Sequence, residues 1–571
     1  MLVAALVPIV ATALGTALGL GARRWHVVVE PVRSFALAAV TVTIAVHLMP
    51  EAVEAAGPWA LAVLAAGLLL PTALGWVSAR LGAAHAGHAA VAVELTFVGV
   101  LAHQIGDGLA LGTLAGSGHW DVLLAIGAHT VPLAAVVAIT FADREGRGRA
   151  LARSVLIALT PLIGLAIGRA GASSVAAAPW LNAAVSGLLL HVLAHDLPSA
   201  TDRSAGIRTL ELLAIAAGVA LPLLVGDEHA DGLAHLVPDA LGELALAAAP
   251  ALLVGVLAGA AIHVTARRAR VRWLAGGRGF LTALRGAVLG VPLPPCSCDI
   301  VPVARDLRAQ GGGVGFVTAF ALAAPELDVA AVLLTTTFLG WKLAALRLVA
   351  AIAIASLAAL ATERIARAAT RAPTKAWLPP GPRAFLDGVD DQIAHDGSWI
   401  MVGLIVAAFL LATDGSFTST TDLILAVAVA LPLTVSSTAA TPIAAAMVAG
   451  GLAPGGAIAA VLIATMLKPS TLAFLRTAWG TAAAVIAATV TVALALGLAM
   501  LVSSLDLAAA PLAALPRSIS FVATGILTAI AAASLWRHGL AHWLAALRGS
   551  DHGHEHAAGA HDHHHDHEHH H

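Results

Sequence analysis

Apolar runs of about 17 to 25 residues, the length that crosses a bilayer as a helix, recur along most of this chain. In lipid every backbone polar group must be satisfied internally, which confines spanning segments to helices or closed barrels, and runs this long select helices. Composition agrees, because of 571 residues 59% are hydrophobic and only 11% charged, outside the globular range. The sequence therefore predicts an all-α polytopic membrane protein, multi-pass in the cell (inner) membrane and bathed in lipid. The first run begins at Leu2 with no charged leader or small-residue cleavage site, so it is expected to stay in the mature chain. No basic tract invites nucleic acid.

Eight spans fit before residue 227, at about 2–21, 33–50, 59–79, 91–115, 120–142, 151–168, 180–197 and 209–226. Arginines orient them: Arg23, Arg24 and Arg33, then Arg80, then Arg144, Arg147, Arg149 and Arg153, then Arg203 and Arg208 occupy alternate loops, which places those loops in the cytoplasm. The acidic stretch 227–239 is then an extracytoplasmic linker. A ninth span, about 240–263, returns inward to Arg267, Arg268, Arg270 and Arg272. The basic linker 363–383 is cytoplasmic, and a span near 398–412 leads out past Asp414.

Within the second half, residues 290–315 (GVPLPPCSCDIVPVARDLRAQGGGVG) interrupt the apolar pattern. Pro292, Pro294 and Pro295 each remove a backbone donor and Gly311 to Gly313 loosen the chain, which predicts a helix broken at membrane depth. Adding 140 to the numbering reaches a second copy. Pro292, Leu293, Ser297, Pro302, Ala304, Gly311 and Gly315 recur as Pro432, Leu433, Ser437, Pro442, Ala444, Gly451 and Gly455, and Gly340 recurs as Gly480. The first copy is approached from the cytoplasm and the second from outside, so the copies are expected to be inverted. Paired interruptions of this kind point to a secondary transporter's binding site.

Cys296 and Cys298, the only cysteines, are soft ligands suited to Cu(I), Zn(II) or a trivalent arsenical. Their counterparts are Ser436 and Thr438, which leaves a second reading open, that both sites need small residues where backbones approach. Asp299, Asp306, Glu326 and Asp328 fall at or near membrane depth, where an unpaired charge costs at least ~2.5 kcal/mol, so each needs a partner, water or substrate. Arg305 and Arg308 are candidate partners for Asp306. Asp328 plus 140 is Lys468, so equivalent positions carry opposite charges, and an inverted repeat brings them across a common axis.

The run PLPPCSCDIVPVARDLRAQGGGVGFVTAFALAAPELDVAAVLLTTTFLGWKLAALR resembles the predicted-permease family that includes organoarsenical efflux permeases and related copper/zinc efflux proteins. The resemblance covers roughly the second half of the chain and implies efflux of a thiol-seeking metal or metalloid. Pro325-Glu326-Leu327-Asp328 departs from the turn that such a protein is expected to carry after the alanines.

In the first half, His47 and Glu51 close the second span, and His103, Gln104 and Asp107 lie within the fourth. A spacing of four sets His47 with Glu51, and His103 with Asp107, on one helix face, an arrangement suited to a transition metal. HLMPEA, HQIGDGLALG and the fifth-span His129-Thr130-Val131-Pro132 are similar to the ZIP zinc-transporter family across about residues 1–226. That resemblance implies metal positions at His103, Asp107 and His129, with Gln104 replacing the usual asparagine and Leu133 standing where a carboxylate is expected. His191, His195 and Asp196, at the end of the seventh span, form a further candidate ligand set. The tail 551–571 alternates histidine with acids and small residues and reads as a flexible cytoplasmic metal-binding tract, placed there by Arg537 and Arg548.

These readings combine into an eight-span ZIP-like bundle (1–226) fused, through the linker 227–239, to a permease domain (240–548) with two inverted repeats containing broken helices, around 290–350 and 430–490, and a histidine-rich tail (549–571). The expected activity is transport, most of all efflux, of a transition metal, with zinc or copper ahead of an organoarsenical or other metalloid. No cofactor beyond the transported metal is expected, and homo-oligomer formation is open. No GxxxxGK[ST] loop offers ATP drive. Rival classes are a non-transporting metal sensor and an intramembrane metal hydrolase using His191, His195 and Asp196. The hydrolase reading lacks an HExxH on any span to supply a base beside the metal.

Overall fold

The structure is a computed structural model that describes residues 2–22, 26–57, 59–80, 86–114, 120–169, 178–195, 204–225, 233–265, 277–290, 300–366, 384–413, 436–505, 507–512 and 515–545. Among these, all regular structure is helical, as the apolar runs require. The first half holds α1 (Leu2–Ala22), α2 (His26–Thr43), α3 (Met49–Ala56), α4 (Trp59–Arg80), α5 (Ala86–Leu114), α6 (Trp120–Arg144), α7 (Arg147–Arg169), α8 (Ala178–His195) and α9 (Ala205–Val225). With α2 and α3 joined by a π turn, these are eight segments at the eight expected places.

Helix contacts here are made by small residues. A β-carbon on Gly108 of α5 would stand 1.9 Å from the Pro161 carbonyl oxygen of α7, and one on Gly187 of α8 2.1 Å from that of Leu64 in α4. Lipid gives no hydrophobic drive between helices, so close backbone approach and dispersion hold such pairs.

The second half opens with α10 (Leu233–Thr265), which begins inside the stretch read as a linker. There follow α11 (Phe280–Leu289), α12 (Ile300–Ala309), α13 (Val314–Ala323), α14 (Val329–Leu339), α15 (Trp341–Glu363), α16 (Ala384–Ala412), α17 (Ser437–Ala449), α18 (Pro454–Met466), α19 (Pro469–Trp479), α20 (Thr481–Ser504), α21 (Arg517–His538) and α22 (Leu540–Ala545). At ten residues each, α11 and α12 are too short to cross alone, and the break that the sequence expects at Pro292, Pro294 and Pro295 lies outside the described residues.

The offset of 140 is written into the backbone. Helices α13, α14, α15 begin at 314, 329 and 341, and α18, α19, α20 at 454, 469 and 481. Gly311, Gly340, Gly451 and Gly480 all take positive φ, between 92° and 101°, a region open to glycine without strain. A second break in each copy was not apparent from the sequence. Helices α13 and α14 meet at 47° around Glu326, and α18 and α19 at 53° around Leu467.

The packing also exchanges as a two-fold demands, with α14 on α17 matched by α12 on α19, and α15 packing directly on its own equivalent α20. Helix α15 ends next to the basic linker that leads to α16. Helix α20 ends where one further span, α21, is needed to bring the chain back to the first turns of α16, since Asp390 of α16 bonds His538 of α21 at 2.9 Å. Equivalent helices thus end on opposite faces, so the copies run inverted.

The halves are not separate bodies. One apolar core joins Leu37, Leu48, Phe97 and Phe141 to Leu244, Leu252, Leu334 and Phe409. A second core, around Phe316, Phe320, Leu462, Phe474 and Trp479, is shared by the two repeats.

Candidate functional site at the crossing of the repeats

Arg347 is 1% exposed and Glu326 is 0%, both inside the apolar core of the second half. Glu326 sits in the single 3-10 turn between α13 and α14, where Pro325 and the bend release the backbone and aim the carboxylate inward. Arg347, one and a half turns into α15, reaches it with Nε at 2.7 Å. The same guanidinium donates through Nη1 to Thr335 Oγ1 on α14 at 2.6 Å and to Thr441 Oγ1 on α17 at 2.8 Å, and through Nη2 to Ser437 Oγ on α17 at 2.5 Å. Thr465 of α18 donates to the other oxygen of Glu326. Glu326, Thr335 and Arg347 belong to the first repeat; Ser437, Thr441 and Thr465 belong to the second. A buried charge pair survives desolvation only when its remaining donors and acceptors are met, and here hydroxyls from both repeats meet them.

Helix starts frame this network. Asp328 caps α14, its carboxylate accepting from the amides of Ala330 and Ala331 at 3.4 and 3.2 Å. Lys468, buried, holds the equivalent N-cap position of α19. The repeat arithmetic therefore lands on corresponding helix starts. Ser436 caps α17 through the Ala439 amide at 3.2 Å and shares a 2.8 Å hydrogen bond with Thr438. Cys296, Cys298 and Asp299 lie outside the described residues, while their neighbour in the repeat, Ser297, has as its counterpart the Ser437 that binds Arg347. Arg305 and Asp306 are exposed on α12, and Arg308 lies over the Trp479 ring at 4.9 Å, so the lone membrane-depth acid of that trio faces outward.

Sequence reading singled out Glu326 but passed over Arg347, although an arginine within a span is rare and needs a partner. Its position 21 residues after Glu326, in a span with no acid of its own before Glu363, was the available signal.

In the first half, Pro50 has no amide to give to residue 46, and the chain widens into a π turn at Ile44–Leu48 that contains His47, closed by the Met49 amide on the Ile44 carbonyl. Such turns concentrate at functional sites. The wider turn alters the four-residue register expected to align His47 with Glu51, and Glu51 is exposed. On α5, His103 and Gln104 are buried; His103 Nε2 stands 3.6 Å from Asp107 Oδ2, and Gln104 Nε2 donates to the same oxygen at 3.3 Å. Gln104 Oε1 is buried with no hydrogen-bond partner among the described residues. The structure thus brings three of the expected ligands together.

The side chains of His47, His129 and His195, and Asp196 entirely, lie outside the described set, while His191 directs Nδ1 at the Leu68 carbonyl of α4, 2.9 Å away. Among the described residues no group of three or more His, Cys, Asp or Glu already stands in metal-holding geometry.

Comparison with known proteins divides the chain at the same place. Residues 235–376 match the predicted-permease family model and residues 80–226 the ZIP zinc-transporter model, so both halves resemble membrane transport proteins, as their motifs implied. The UPF0718 protein YraQ of Escherichia coli is 28% identical over 251 residues, covering 41% of this chain and 71% of that protein. The UPF0718 proteins MJ0584 of Methanocaldococcus jannaschii and YcgR of Bacillus subtilis are 34% and 32% identical over 86 and 81 residues, 15% and 14% of this chain and 24% and 28% of theirs. No solved structure matches the chain significantly.

Proposed function

We propose that this protein is a multi-pass transporter of the cell membrane that moves a transition metal, zinc or copper, outward through its second half. The observation that carries this reading is the charged and hydroxyl-rich crossing of the two inverted repeats at Arg347. Polar residues at membrane depth are costly, and here they gather where two broken helices meet, the usual place of a secondary transporter's site. The thiol pair Cys296 and Cys298 supplies soft ligands in the other interruption of the first repeat, between α11 and α12. Arg347 neutralises Glu326, so the metal ion is captured by the thiols and not trapped by a bare buried carboxylate. Displacement of one repeat against the other must break the guanidinium's bonds to Ser437 and Thr441, which makes the crossing the element that changes between inward- and outward-open states. The first half, through His103, Gln104 and Asp107 together with His129, holds the same class of metal.

An organoarsenical or other metalloid cargo is the second reading, favoured by the same thiols and by the resemblance of the permease half. Metal-resolved flux in proteoliposomes separates them. Zinc or copper export that falls at least tenfold in a Cys296→Ser, Cys298→Ser variant supports the proposal, whereas flux of a trivalent arsenical alone shifts it to the second reading. A sealed vesicle that moves none of the three refutes both.

A further inference from the structure

Away from both sites, three histidines and a carboxylate meet where the start of α16 packs on the end of α21 and on α22. The His538 and His542 rings stack with centroids 4.9 Å apart, and His542 stands edge-on to His395 at 5.7 Å. All three rings are half-buried. Two imidazoles on one tetrahedral zinc, with Zn–N of ~2.0–2.1 Å, hold their centroids on the order of 5 Å apart. The spacing is therefore that of a ligand set, though the rings are turned flat against each other.

Their partners fix the tautomers. His395 Nδ1 lies 2.9 Å from the Asp391 carbonyl, which can only accept, so the proton is on Nδ1 and the Nε2 lone pair is left outward. His538 Nε2 lies 2.9 Å from Asp390 Oδ2, which leaves its Nδ1 lone pair available. Metal-bound histidines are oriented by this same outer shell of carbonyl and carboxylate.

Asp390 is 6% exposed, and its Oδ1 is buried with no hydrogen-bond partner among the described residues, while Oδ2 also forms an ion pair with Arg537 Nη1 at 3.0 Å. A buried acceptor left open is costly, which points to a cation or donor that completes it. Asp387, Asp391 and Asp396 lie on the first turns of α16 as well. Gly539, at φ 78°, breaks the chain between His538 and His542 and lets the two rings approach from different helices.

We infer that His395, His538 and His542, oriented by Asp390 and the Asp391 carbonyl, form a site for one divalent transition ion of the zinc class. It lies at the face where Thr209 of α9 bonds Trp536 of α21 and Arg208 stands over the Trp536 ring at 5.6 Å. Closure turns the stacked His542 ring about χ2, a torsion of broad preference, while the Asp390 and Asp391 bonds hold the other two rings. The histidine-rich tract 551–571 follows α22 closely in sequence and supplies a local pool of the same metal. The site is separate from the transport route, so its occupancy is read by binding and not by flux.

The test titrates full-length protein with zinc against a competing chelator and follows melting temperature in parallel. His538→Phe with His542→Phe keeps the stacked rings but removes the nitrogens. This variant is expected to lose one zinc equivalent and part of the zinc-induced rise in melting temperature, because only sites within the fold stabilise it. Asp390→Asn, which keeps the hydrogen bonds and removes the charge, should weaken that equivalent by about 10- to 100-fold. The tail is common to every protein compared, so it cancels. Should the double-Phe protein fail to fold, His395→Phe and Asp390→Asn decide. Unchanged stoichiometry, affinity and zinc-dependent melting in the variants would overturn the assignment, and an absence of metal flux in vesicles bears on the transport reading alone.

Discussion

Replacing Arg347 by methionine removes a guanidinium that makes four hydrogen bonds in a fully buried setting, to Glu326, Thr335, Thr441 and Ser437. The hydroxyls can fall back on carbonyls of their own helices, since Thr335 and Thr441 already donate to Ala331 and Ser437 at 2.7 and 2.8 Å. Glu326 cannot. Its carboxylate, with no exposure, keeps among the described residues only the Thr465 hydroxyl. Stranding one partner of a buried pair costs ~3 to 5 kcal/mol, and that figure is the expected loss for Arg347→Met. Replacing both charges, as Arg347→Met with Glu326→Leu, removes the stranded group and should return most of the loss, so the coupling in the double-mutant cycle should reach ~2 to 3 kcal/mol.

Stability and transport are expected to part company in this cycle. Unfolding measured in detergent micelles should show the double variant near the parent, while zinc or copper flux in proteoliposomes stays at least tenfold down, because an apolar crossing no longer distinguishes the two states of the repeats. Recovery of both properties together would mean that the pair is packing and takes no part in transport. A loss under ~1 kcal/mol for Arg347→Met alone would contradict the closed network itself.

The remaining outcomes are simpler to state. Cys296→Ser with Cys298→Ser should sensitise cells to zinc, copper or arsenical as strongly as loss of the gene; full protection by that variant makes the thiols packing residues. His103→Ala should remove one metal equivalent from the first-half site, read by metal analysis of the purified full-length chain, and an unchanged stoichiometry refutes ligation there. Removing 551–571 should alter the metal dependence of flux but leave its maximum nearly intact, and a tail-less protein that is inert at saturating metal shows the reverse. Asp328→Ala and Lys468→Ala should each damage folding or transport, with the pair together hurting less than the sum; strict additivity means that the two charges never meet.

What could be read from the sequence was whatever is encoded locally. Apolar length placed the eight first-half helical segments, while the break expected at Pro292, Pro294 and Pro295 falls outside the described residues. An arithmetic offset exposed the repeat because insertions have not blurred it. The second break was hidden, since Pro325-Glu326-Leu327-Asp328 reads as a local oddity until α14 is seen to restart at Val329 under its Asp328 cap. Arg347 was hidden for a different reason. Its partners come from the turn before α14, from α14 and from α17, up to 94 residues away, and no local pattern encodes that convergence. The α16–α21 histidines share this property: His395 and His542 are remote in sequence and become neighbours only through helix packing.

The scaffold is duplicated, but the chemistry is not. Glycines with positive φ, bent helix pairs and the α15–α20 contact recur in both copies, whereas Glu326 faces across the repeat to Met466, Arg347 to Ala487, Cys296 to Ser436 and Cys298 to Thr438. Met466 and Ala487 are both wholly buried, so at the equivalent positions the second copy carries apolar side chains in place of the ion pair. Two inverted units of identical chemistry would present the same ligands to either face of the membrane. A ligand shifts a conformational equilibrium only by its differential affinity for the two states. Any such difference must therefore come from the positions at which the copies disagree, and these include the thiols, the Glu326–Arg347 pair and the Asp328/Lys468 positions, none of which the two-fold repeats.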